Sequence, residues 1–170
     1  MTGRLPELCE RMQSEENMSM LFKAYKAYAD RKRGIIFALD VAHARCIADY
    51  YSSHGIRAEV YYGDFSRNSW LRRRDLSEGL ADILVDIRDL SVDVPLPEIQ
   101  FIQLTYPIQR LDDYLNVVES GMRVSEDFTE EERVAGSDDR LLVIDHAGHQ
   151  ERFGLPTDRR DWNRLFSGDC

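Results

Sequence analysis

An aspartate and a histidine stand three residues apart in the stretch "ALDVAHA". Asp40 and His43 could perform acid–base chemistry, because a carboxylate can orient an imidazole that takes up a proton. The sequence shows no partner nucleophile for this pair. It therefore favours a structural role, in which Asp40 caps a helix and His43 packs in the first turn.

A carboxylate and two imidazoles end another apolar run, in "DHAGH" from Asp145 to His149. These side chains can bind a metal ion. A closed transition-metal site needs further ligands and supporting hydrogen-bond partners, which the sequence does not show. The pattern favours a turn, and we expect no metal site here.

Four arginines surround a tryptophan in "RNSWLRRR". Arginines beside an aromatic ring can hold a phosphate backbone and stack a base. The same residues are also typical of a solvated helix face that forms ion pairs with Asp75 and Glu78. The sequence leaves both readings open, and the candidate nucleic-acid-binding residues are Arg67, Trp70, Arg72, Arg73 and Arg74.

Three motifs that would define an active site are missing. There is no GxxxxGK[ST] phosphate loop, no GxGxxG after the first predicted strand and no GxSxG nucleophile elbow. The sequence therefore contains no nucleotide cradle of its own.

The composition is that of a globular chain. In 170 residues, 43% are hydrophobic and 31% are charged, which is enough to bury a core. The net charge of −9 argues against a surface that grips nucleic acid over its whole extent. Cys9, Cys46 and Cys170 are widely spaced and odd in number, and Cys46 fits a buried apolar position. We expect a soluble, cytoplasmic protein without disulfides, structural zinc or a membrane partner.

Apolar runs of strand length alternate with amphipathic helical patterns along the chain. This alternation predicts an α/β fold, a three-layer α/β/α domain with a mostly parallel sheet of five to seven strands. We expect an N-terminal arm over 1–16 and one domain over 17–170, in which Leu155, Trp162 and Phe166 pack the tail. The predicted strands, all expected to be buried, are Ile35–Ala38, Val60–Tyr62, Ile83–Ile87, Phe101–Leu104 and Leu141–Ile144. The pattern turns helical from Asn17 and is helical again over 109–120.

With the motifs in order, the chain resembles the C-terminal RecA-like domain of superfamily 2 DEAD/DEAH-type helicases, near type III restriction subunits and DNA-repair helicases. The stretches that carry the resemblance are "LFKAYKAYADRKRGIIFALDVAHARCIADYYSSHGIRAEVYYGD", "VDVP" and "RLLVIDHAGHQERFGLPTDRRDW". The similarity as a whole runs from about Asn17 to Phe166. "VDVP" matches the end of motif V, EGxDxP, without its Glu-Gly. The resemblance implies that Asp93 and Arg123 would face a nucleotide.

Motif VI of these helicases reads approximately QxxGRxxR, and its arginines reach across an interdomain cleft to ATP. Aligned on Arg123, this chain has Asn116 for the glutamine, Glu119 for the glycine and Ser120 for the first arginine. Glu119 would place a negative charge near the phosphates, which opposes binding. The resemblance therefore implies a degenerate arginine-finger region.

The resemblance leaves two main functions open, and a purely structural partner domain without a ligand is a third possibility. The first is a non-catalytic domain that binds DNA or RNA weakly, or binds a partner protein, and has no cofactor alone. The alternative is the second RecA-like domain of an ATP-dependent helicase, whose P-loop domain lies elsewhere on the chain or on a partner. ATP and Mg²⁺ would bind only in that pairing. We expect no ATP hydrolysis by the chain alone.

Overall fold

A computed structural model describes residues 10–61, 76, 78–87, 99–122 and 141–160, with the side chains of 120–122 left aside. Within these ranges the sequence forms helices and strands in alternation. The helices are α1 (Glu15–Tyr28), α2 (Val41–Ser53), α3 (Leu111–Met122) and α4 (His149–Phe153). The strands are β1 (Gly34–Ala38), β2 (Ala58–Tyr61), β3 (Ile83–Ile87), β4 (Phe101–Leu104) and β5 (Leu142–Asp145).

The five strands form one sheet in the order β2-β3-β1-β4-β5. Every neighbouring pair is parallel, and β1 lies at the centre, where Ile36 is level with Val85 on one side and Gln103 on the other. Parallel strands need crossover connections, which explains the helical segments between the apolar runs. The predicted parallel α/β fold is confirmed.

Helices cover both faces of the sheet. Along β1, Ile35 and Phe37 contact the cluster that contains the apolar side of α3, whereas Ile36 and Ala38 contact the cluster formed with α1 and α2. Side chains alternate between faces along a strand, so a strand buried on both faces is apolar at every position. All five β1 residues are buried, and the three-layer arrangement follows.

The helix starts follow local capping. The Ser14 hydroxyl accepts a hydrogen bond from the backbone N–H of Asn17, and α1 therefore begins at Glu15, slightly before the predicted start at Asn17. Asp40 caps α2 as predicted, and Gly55 follows that helix with a φ of 83°, which favours glycine.

Three packing predictions need correction. β2 and β5 are edge strands among those described, so they are only partly buried. Cys46 is half-buried rather than buried. Leu155 is 46% exposed and does not anchor the tail, because hydrogen bonds of Asp158 and Arg160 hold the turn around it. Trp162 and Phe166, also predicted to pack the tail, lie outside the described residues.

None of the helices in the described ranges is long and apolar enough to cross a membrane.

Candidate functional site

The carboxyl edge of the sheet gathers the residues that the sequence singled out. The segments after β1, β4 and β5 lie side by side, since the Thr105 hydroxyl donates to Phe37 O at 2.7 Å and His146 N donates to Leu104 O at 3.0 Å. From β1 the chain passes into α2, which packs over β2 and β3, and from β4 into α3. The two helices thus leave the neighbouring strands β1 and β4 towards opposite faces of the sheet. In α/β folds this arrangement opens a crevice at the carboxyl ends of the strands, where ligands bind.

His43 and Asp40 do not form an acid–base pair at this edge of the sheet. An Asp40 carboxylate oxygen accepts from the backbone N–H of His43 at 2.7 Å, and His43 Nδ1 accepts from Leu39 N at 3.3 Å. Because Nδ1 accepts a hydrogen bond, the proton of the neutral ring lies on Nε2. Burial lowers the pKa of His43 to about 4. The favoured structural role, helix capping and packing, is therefore the one observed.

Both ring nitrogens of His149 are committed to the protein itself. His149 Nε2 accepts from Ile108 N at 2.8 Å, and Nδ1 lies 2.7 Å from Asp145 Oδ1. A backbone N–H can only donate, so Nε2 carries no proton and Nδ1–H donates to Asp145. Asp145 also accepts from Ala147 N and Gln150 N. This carboxylate and this imidazole therefore organise the turn that was favoured over a metal site.

His146, the second imidazole of "DHAGH", belongs to a buried polar network. The Gln103 amide nitrogen donates to Leu21 O at 2.9 Å and lies 2.9 Å from His146 Nε2, while its oxygen accepts from the Tyr51 hydroxyl at 3.1 Å. Burial lowers the pKa of His146. The network joins α1, α2, β4 and the turn after β5. No group of three or more metal-ligating side chains occurs within the described ranges.

The start of α3 is held by α4. Arg152 donates to the carbonyl oxygens of Ile108 and Gln109 at 3.4 and 3.0 Å, beside the bond from Ile108 N to His149. The His149 ring stacks on Tyr114 with centroids 5.4 Å apart and an interplanar angle of 9°. These contacts of α4 therefore fix the direction in which α3 begins. Sequence reasoning missed Arg152, for which no local pattern gave a signal.

α3, the helix that the resemblance aligns with motif VI, is well formed, and two of the aligned positions are exposed. Tyr114, Leu115, Val117 and Val118 are buried against the sheet, whereas Asn116 and Glu119 are exposed. Ser120 continues the helix. The helix predicted over 109–120 is observed over Leu111–Met122, with the Glu119 carboxylate exposed. The other predicted site residues lie outside the described residues: Arg67, Trp70, Arg72, Arg73, Arg74, Asp93 and Arg123.

Neither a family model nor a curated protein matches the sequence. Solved structures do match the fold. Bacteriophage T4 UvsW superimposes with a TM-score of 0.57 at 14% identity, over 85% of this chain and 28% of UvsW. S. cerevisiae Dbp5 bound to RNA and ADP BeF3 gives 0.57 at 13%, over 89% of this chain and 41% of Dbp5.

The C-terminal domain of S. cerevisiae Dbp5 bound to Gle1 and IP6 matches over nearly its full length. Its TM-score is 0.54 at 13% identity, covering 87% of this chain and 88% of that domain. Against the longer proteins above, this chain spans well under half the length. Likeness at such identity establishes the fold. The chain has the RecA-like fold of helicase C-terminal domains, as the resemblance predicted.

Proposed function

We propose that the chain is a non-catalytic, helicase-like RecA domain that acts as a binding or interaction module. The observation that carries this proposal is α3, which is complete, packed and held in place by His149 and Arg152. Its exposed positions nevertheless present Asn116 and Glu119 where the family has glutamine and glycine, and Ser120 stands in place of the first arginine. The helix aligned with motif VI is therefore retained, whereas the glutamine, the glycine and the first arginine of the motif are not.

The charge on this helix opposes nucleotide binding. Glu119 is exposed in the last turn of α3, which ends at Met122. The C-terminus of a helix carries partial negative charge, so the carboxylate and the helix dipole both repel a phosphate group there. Catalysis of phosphoryl transfer needs positive charge on the transferred group, and of the two arginines of motif VI the sequence keeps only Arg123.

The solved structures indicate what a domain of this fold can bind. Dbp5 is bound to RNA in one structure, and its C-terminal domain is bound to a protein, Gle1, in another. For this chain, the sequence offers Arg67, Trp70 and Arg72–Arg74 as a phosphate-binding stripe. The net charge of −9 limits nucleic-acid affinity, and we expect millimolar to high-micromolar binding of single strands.

ATP hydrolysis tests the non-catalytic part of the proposal. The purified chain should hydrolyse ATP no faster than buffer, with or without single-stranded DNA or RNA, because it has no phosphate loop and Ser120 replaces the arginine. Turnover that Arg123→Ala abolishes would contradict the proposal. That result would favour the alternative, a second RecA-like domain that completes a helicase site with a P-loop domain.

A further inference from the structure

Three consecutive cations lie at the amino edge of the sheet, between α1 and β1. Arg31, Lys32 and Arg33 form no ion pair with any residue in the described ranges. Two carboxylates lie close enough to attract Arg31 and Arg33, but each is already paired with another cation: Asp30 with Lys26 at 2.6 Å, and Asp82 with Arg57 at 2.6 Å. The turn therefore keeps an excess of positive charge on a chain whose net charge is −9.

The backbone of this turn is held in one conformation. Arg31 is the one non-glycine residue in the described ranges with a positive φ, 63°, a region that arginine rarely adopts. Lys32 N donates to Ala29 O at 2.9 Å, Ala29 N donates to Tyr25 O at 2.7 Å, and both Ala29 and Tyr25 are buried. Cations on a fixed backbone lose less conformational freedom when they bind a ligand.

An exposed aromatic residue precedes these cations by three positions in the sequence. Tyr28 is the last residue of α1, and 67% of it is exposed. The Arg33 guanidinium lies near Gly79, which precedes the exposed Leu80. Aromatic rings next to lysine and arginine bind single strands, because the ring stacks on a base while the cations neutralise phosphates.

We propose that this surface, made of Tyr28, Arg31, Lys32 and Arg33 and named here the amino-edge turn, binds single-stranded nucleic acid. The inference rests on the nucleic-acid branch of the proposed function and assigns it a second surface. The amino-edge turn lies at the opposite end of the strands from His43, Asp145 and the start of α3. The exposed ring favours a nucleic acid over an acidic peptide, which offers carboxylates but no bases to stack.

The test compares two variants of equal net charge in the full chain. The turn variant carries Arg31→Asn and Lys32→Gln, since asparagine tolerates a positive φ. The control variant carries Arg11→Gln and Arg159→Gln, both exposed and away from the amino edge. Fluorescence anisotropy with a labelled 20-mer oligothymidylate between 50 and 200 mM salt gives affinity and salt slope, and circular dichroism checks folding.

The turn variant should bind on the order of tenfold more weakly than the control at 50 mM salt. Its slope of log affinity against log salt should be flatter by about 1.4, since each lost phosphate contact removes about 0.7 for a single strand. Tyr28→Ala should weaken oligothymidylate binding about fivefold or more without changing the affinity for inorganic polyphosphate.

Two results would overturn the inference. Equal binding by the turn and control variants would show that the amino-edge turn makes no phosphate contact. An unchanged affinity in Tyr28→Ala, with equal binding of polyglutamate, would assign the surface to an acidic protein instead. If substitution of Arg72–Arg74 by alanine removes binding while the turn variant does not, this inference fails and the proposed nucleic-acid role stands. If neither the wild type nor any variant binds at 50 mM salt, both this inference and the proposed nucleic-acid role fail.

Discussion

Replacing His149 with phenylalanine separates the hydrogen bonds of this ring from its packing. The phenyl ring keeps the stacking on Tyr114, where the centroids lie 5.4 Å apart, but it has neither ring nitrogen. Ile108 N then loses its acceptor in a buried position, and Asp145 loses one of its donors. An unsatisfied buried N–H costs about 1–3 kcal/mol, and a hydrogen bond to a charged group contributes about 1.5–3 kcal/mol.

We therefore expect His149→Phe to lower the free energy of unfolding by about 3–5 kcal/mol. The measurement is urea unfolding followed by circular dichroism at pH 7.5. His54→Phe is the matched control, because His54 is exposed and also stacks on a tyrosine, Tyr50, with centroids 4.5 Å apart. The control should change stability by about 0.5 kcal/mol or less.

Hydrogen exchange adds a local readout. The Ile108 amide should lose protection in His149→Phe and keep it in His54→Phe, because only His149 accepts from that amide. Equal losses of stability in the two variants, both below about 0.5 kcal/mol, would refute the role assigned to His149. α4 would then not hold the start of α3.

Three further changes test the core and the polar network. Gln103→Leu should destabilise by about 2–5 kcal/mol, because it leaves the buried Tyr51 hydroxyl and His146 without their partner, and adding Tyr51→Phe should recover about 1 kcal/mol in urea unfolding. Gly34→Ala should cost about 1–3 kcal/mol in the same assay, since its Cβ would collide with the ring and carbonyl oxygen of Phe101. The third is pH dependence. The folded pKa of His43, about 4, lies below the unfolded value of 6.5, so the unfolded chain binds the proton first and stability falls as pH drops from about 6.5 to 4. His43→Gln should remove this part of the pH dependence of the urea midpoint, and an unchanged pH profile would contradict the burial of a neutral ring.

Much of the fold could be predicted from the sequence because apolar runs of strand length mark parallel strands directly. β3 and β4 have the predicted bounds, Ile83–Ile87 and Phe101–Leu104. β5 lies one residue later than predicted, because its pairing with β4 extends to Asp145 opposite Leu104. The exposure of Leu155 could not be predicted, since it depends on hydrogen bonds that Asp158 and Arg160 make around the turn.

The candidate site was harder to predict than the fold. The substitutions at Asn116, Glu119 and Ser120 can be read from the sequence alone, but the support of α3 cannot. His149 hydrogen-bonds Ile108, which is 41 residues away in the sequence, and Arg152 hydrogen-bonds Gln109, which is 43 residues away. Such pairings arise only when β4 and β5 become neighbours in the sheet. A glutamine within the apolar run "FIQL" was the one local signal of the Gln103 network.

The central claim is that this domain takes no part in catalysis. The most direct test isolates the assembly from native cells, with this chain as the bait, and measures its ATPase rate. Wild type, Arg123→Ala and the exposed-arginine control Arg159→Ala should give the same rate, whether or not the assembly contains an ATPase. An arginine that completes a phosphoryl-transfer site contributes about 10³-fold or more to the rate. A loss of that order in Arg123→Ala, with Arg159→Ala unchanged, would contradict the claim and identify the chain as the second half of a working helicase.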